Sequence, residues 1–149
     1  MKTVLCCAAI WVSAASAATI PAGWITIKDA KNVCQAGVPG DFKPQPGLTS
    51  LAQGPGNMIS VQLVSQAGRT LKPLSDGAQK ALMISKMFEN TANRVFYSMD
   101  PAKKDGTVLA EWRVTVAGNG GTCFADIMLL KGASEDVARK IADTVGPIK

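Results

Sequence analysis

Histidine is missing from all 149 residues. That absence removes the commonest general base and the commonest metal ligand together. No Ser-His-Asp or Cys-His arrangement can be built. Zinc would have to be held by cysteine and carboxylates alone, and calcium or magnesium would need clustered oxygen ligands, whereas Asp100, Asp105 and Asp126 lack EF-hand-like spacing. A long apolar run is also lacking beyond the first residues, so the processed chain is expected to be soluble with no membrane span. The formal charge is only +5, from 16 Lys+Arg against 11 Asp+Glu. The basic residues are scattered along the chain, which argues for solubility and mild attraction to acidic partners and not for nucleic-acid binding. No cofactor motif is present.

What is present begins with an export signal. Lys2 supplies a positive start, Val4 to Val12 an apolar core, and Ser13 to Ala18 a run of small residues. About nine apolar residues are too few to span a bilayer, and the small residues fit signal-peptidase cleavage after Ala17 or Ala18. A buried N-terminal helix is the competing reading, but the run is apolar all round and ends without a helix cap. A lipoprotein is set aside because attachment at Cys6 or Cys7 would leave almost no hydrophobic run before the modified cysteine. Residues 1–18 are thus read as a signal peptide. Residues 19–149 are read as a single domain, with 19–28 a loose arm or a short strand.

Processing leaves two cysteines, Cys34 and Cys123. In an exported chain they can make only one intramolecular pair, and the oxidising compartment favours it over two buried free thiols. Without C-x-x-C spacing the bond reads as structural and not redox-active.

Along the mature chain, Met58 to Ser65 alternates as a strand with Ile59, Val61 and Leu63 on one side. Ser75 or Asp76 caps a helix predicted to run to about Asn90, with Ala78, Ala81, Leu82, Ser85 and Phe88 at helical spacing. Arg94 to Met99, Thr107 to Val116 and Thr122 to Lys131 follow as strands. The last two form a hairpin through Ala117-Gly118-Asn119-Gly120-Gly121. In the Thr107–Val116 strand, Trp112 falls on the core side, and Glu111 and Arg113 fall on the solvent side. Ser134 caps a final helix with Glu135 and Asp136 in its first turn and Val137, Ala138, Ile141, Ala142 and Val145 as its inner stripe. Pro44, Pro46, Gly47, Gly54, Pro55 and Gly56 mark residues 40–56 as irregular. The fold class expected is α+β, an antiparallel β-sheet with two helices packed on it.

This order, with Val38-Pro39-Gly40-Asp41-Phe42-Lys43 early, Asn93-Arg94-Val95-Phe96-Tyr97 after a central helix, and Ser134-Glu135-Asp136 to Ile141-Ala142-Asp143-Thr144-Val145 at the close, resembles the α/β sandwich of the PsbP family over residues 29–149. The founding members of that family are accessory subunits of the photosynthetic oxygen-evolving complex. The resemblance implies an accessory or binding role. The chain departs from the family in carrying the cysteine pair and in having no histidine, so metal-linked roles do not transfer.

Catalytic readings of the remaining residues compete with structural ones. Glu111 and Asp126 lie on expected neighbouring strands and could form a hydrolytic carboxylate pair, but a cross-strand partner for Arg113 or a lysine is the plainer role. Ser85 with a lysine would be a dyad without supporting context. Gly118-Asn119-Gly120-Gly121 precedes a strand, whereas phosphate loops precede a helix. The expected function is an exported, non-enzymatic binding or accessory protein, periplasmic or extracellular, whose partner is another envelope or extracellular protein. Trp24, Lys103 and Lys104 are its candidate contacts. The alternative is a secreted inhibitor or immunity-type protein that blocks an enzyme with the 40–56 segment; a hydrolase without histidine is the third reading.

Overall fold

Period-two alternation of apolar and polar residues sets most of the architecture. The computed structural model describes residues 19–101 and 106–148. The leader, and Lys103 and Lys104, lie outside the described residues. The strands are β1 Trp24–Lys28, β2 Cys34–Pro39, β3 Lys43–Gln45, β4 Leu48–Gln53, β5 Ile59–Ala67, β6 Ile84–Asn90, β7 Arg94–Met99, β8 Val108–Gly118, β9 Gly121–Leu130 and β10 Gly146–Pro147. The helices are α1 Asp76–Ala81 and α2 Glu135–Asp143. A seven-stranded antiparallel sheet runs in the order β3-β4-β5-β9-β8-β7-β6, and a three-stranded antiparallel sheet in the order β1-β2-β10. Mostly β with two helices, the domain is α+β.

The small sheet and α2 cover one face of the large sheet. Ile59, Val61 and Leu63 of β5, Trp112 and Val114 of β8, and Cys123, Ala125, Ile127 and Leu129 of β9 meet Ile27, Ala36 and Val38 of the small sheet and Ala138, Ile141 and Ala142 of α2. Every second residue of the central strands is therefore buried there, and this is where the hydrophobic effect acts. Cys34 and Cys123 form the expected disulfide, which joins the small sheet to the large one. Ser134 caps α2 by accepting from Val137 N at 3.3 Å, as the sequence leads one to expect. At the other end of α2, Thr144 Oγ1 accepts from Gly37 N at 2.8 Å, which fixes the helix to β2. In the β1–β2 connection the Asp29 carboxylate accepts from the N–H groups of Lys31, Val33 and Cys34 and from the Ser65 hydroxyl of β5, at 3.1, 2.8, 2.7 and 2.6 Å.

Two expectations are corrected. The helix expected from Ser75 to about Asn90 stops after six residues. Ser75 does cap it, but Met83 takes a left-handed conformation (φ +52°), and residues 84–90 become an edge strand beside β7. Two register shifts in that pairing, at Ile84/Lys86 and Met87/Glu89, spread the apolar residues of β6 in a way that mimics helical spacing. The 40–56 segment is also no free loop. Gly47 (φ +76°) turns β3 back into β4, which pairs with β5, so most of the segment belongs to the edge of the large sheet. The residues 19–28 arm ends in a paired strand, β1.

Candidate ligand-binding site

The second face of the large sheet is organised differently. Antiparallel register sets Val95, Thr115 and Phe124 side by side across β7, β8 and β9, and sets Tyr97, Arg113 and Asp126 side by side in the next row. These are the residues that alternate with the core positions Phe96, Trp112, Val114 and Ala125. Instead of a full second layer they receive a strap. After β5 the chain turns away at Gly68 (φ +71°), whose N–H donates to Gly120 O at 2.8 Å, and residues 69–75 then lead into α1. Asn90 of β6 clamps the strap near its end, at Leu74. Its Oδ1 accepts from Leu74 N at 2.7 Å and its Nδ2 donates to Leu74 O at 3.0 Å, a side-chain imitation of a strand pair.

Between strap, α1 and sheet lies a cleft of about 480 Å³, within the usual range for small-molecule sites. Leu71, Leu74, Leu82, Val95 and Phe124 give it apolar walls, and Thr70, Ser75, Tyr97 and Thr115 give it hydroxyl groups. Arg69, Lys72 and Arg113 line it, whereas no Asp or Glu is among its described lining residues. Arg113 donates from Nε and Nη2 to Asp126 Oδ1 and Oδ2 at 2.6 and 3.1 Å and lies 5.4 Å from the Phe124 ring centroid. The hydrogen bond to Asp126 raises the Arg113 pKa, burial opposes it, and the Asp126 charge and Tyr97 add to the rise. Arg113 is therefore a fixed, neutralised cation. Arg69 is different: its Nη1 donates to Gln66 Oε1 at 2.8 Å, and among the described residues neither it nor Lys72 has a carboxylate partner.

The arrangement can hold an anion with an apolar portion.

The described residues that the sequence singled out as contacts or catalytic groups do not line the cleft. Trp24 is half-buried in β1, opposite Pro39, and packs against the core. Glu111 and Asp126 are not brought together, since Glu111 lies opposite Met128 and Asp126 opposite Arg113, its ion-pair partner. Ser85 donates its hydroxyl to Ser98 O at 3.2 Å. Trp112 is 3% exposed and meets Phe88 and Phe96 edge-on, at centroid separations of 5.2 and 5.6 Å. Residues 118–121 close the β8–β9 hairpin. Sequence reasoning passed over Arg69, Lys72, Asn90 and Phe124. The only local signal was a connector that mixes cations with leucines (Arg69-Thr70-Leu71-Lys72-Pro73-Leu74) where a plain solvated link would carry no leucine. No protein-family model matches the chain, and no curated protein matches it in sequence.

Proposed function

We propose that this is an exported, non-catalytic binding protein that holds a small anionic ligand beneath the 69–75 strap. The observation that carries the proposal is the pair of cations, Arg69 and Lys72, that have no carboxylate partner among the described residues and line one cleft with Val95 and Phe124 of the sheet. Surface cations are ordinarily solvated and scattered; two that line one concave site with leucine and phenylalanine supply a charged anchor and an apolar contact together. Export is supported by Lys2, the apolar run after it and the oxidised cysteine pair. The resemblance to the PsbP family is consistent with an accessory role in which the bound ligand, or the protein that presents it, belongs to the cell envelope.

The test uses an apolar sulfonate, 8-anilinonaphthalene-1-sulfonate, titrated by fluorescence into the wild type and into the Arg69→Gln/Lys72→Gln double variant. Loss of two charge-assisted contacts at a partly exposed site should weaken binding about tenfold with an unchanged Tm. Equal affinity in the two proteins overturns the proposal.

A further inference from the structure

Within that reading, we infer that the ligand is a phosphomonoester carrying an apolar chain or ring. The first argument is charge. Asp126 already neutralises Arg113, so the cations left for a ligand are Arg69 and Lys72. A phosphomonoester carries close to two negative charges above its second pKa of about 6 and matches both. A carboxylate or sulfate ester carries one charge and matches only one of these two exposed cations.

The second argument is hydrogen-bonding capacity. Around the cleft, Arg69 and Lys72 can only donate, and the Thr70, Ser75 and Tyr97 hydroxyls each carry a proton to donate, with Ser75 Oγ accepting from Ala78 N and Tyr97 bonded to Arg113. With no carboxylate among its described lining residues, the site has charged donors and no charged acceptor there. Three terminal phosphate oxygens satisfy such a set; a carboxylate brings only two oxygens. The third argument is shape. A volume of about 480 Å³ is far more than inorganic phosphate fills, and Leu82 and Phe124, both partly exposed, would stay wetted around the bare ion. The apolar part of the ligand covers them.

Octyl phosphate, octyl sulfate, octanoate and inorganic phosphate, titrated at pH 8 by calorimetry, separate these arguments. The alkyl sulfate keeps the tetrahedral head and the chain and lacks only the second charge. Octyl phosphate is expected to bind at least about tenfold more tightly than each of the others, and Arg69→Gln or Lys72→Gln should remove most of its advantage over octyl sulfate. Octyl phosphate affinity should also fall as pH is lowered through 6 while octyl sulfate affinity holds. Octyl sulfate or octanoate binding as tightly as octyl phosphate, still dependent on Arg69 and Lys72, overturns the ligand class and leaves the anion-binding function standing. If no alkyl anion binds, both fall. Co-sedimentation with phosphatidylcholine vesicles containing phosphatidic acid assigns the phosphomonoester to a lipid headgroup. Binding of octyl phosphate without co-sedimentation assigns it to a soluble ester, and either result upholds the class.

Discussion

At Asp29, burial on its own would raise the carboxyl pKa, but the Ser65 hydroxyl and the N–H groups of Cys34, Val33 and Lys31 outweigh it and hold the group below its ordinary value of 3.8. A pKa lowered by folding means that the native state favours the carboxylate. The stabilisation is therefore complete above the unfolded-state pKa and is lost as pH falls through the folded one. Asp29→Asn keeps one acceptor oxygen and turns an N–H group toward Lys31 N. It should cost about 2 kcal/mol at neutral pH, and the gap from wild type in urea unfolding should close as the solution is acidified below the carboxyl range. A gap that does not change with pH would show that the amide, and not the charge, accounts for the loss. The sequence displays Asp29, Lys31, Val33 and Cys34 as neighbours, and a turn there is legible. Ser65 is 36 residues further on, on another sheet, and only the fold brings its hydroxyl to the same oxygen as Lys31 N.

The strands with one apolar face, β5, β8 and β9, and the capped helix α2 were legible as elements because each keeps one period along most of its length. The α1–β6 stretch was not. Helices commonly end on a left-handed glycine, and this one ends on Met83, so the stop was invisible; two irregularities in β6 then completed the disguise. Met83 is 65% exposed, so its side chain contributes little packing. Met83→Gly removes a left-handed strain of about 1 kcal/mol at the cost of some unfolded-chain entropy. The variant should unfold about 0.5 kcal/mol less readily in denaturant, against the usual expectation for glycine. A loss of stability would mean that the methionine makes contacts that outweigh its conformation. The same paucity of local signal hid the strap: its cations are ordinary surface residues until Asn90 fastens Leu74 above the sheet.

For the molecule as a whole, the disulfide crosses between layers, since Cys34 lies in the small sheet and Cys123 in the large one, 89 residues apart in sequence and both nearly inaccessible. Closing a loop of that length limits the unfolded chain by about 4 kcal/mol in the chain-entropy account. The Cys34→Ala/Cys123→Ala double variant should lose stability of that order in urea, and in the native wild type neither sulfur should take up iodoacetamide after mild reductant without denaturant. Ready labelling in native protein would place the bond in an open part of the structure. The pair was legible from arithmetic alone. The cleft was not, because its floor is drawn from three strands and its roof from a connector, and no single stretch of sequence carries the pattern. One further property follows from the alternation along β7, β8 and β9, where odd and even neighbours serve opposite faces. Inserting or deleting a single residue within one of these strands would exchange Trp112 for Arg113, or Ala125 for Phe124, and so corrupt the packed interior and the floor of the cleft in the same event. Variation of the cleft in this architecture is therefore confined to point replacements on the strands and to length changes in the strap.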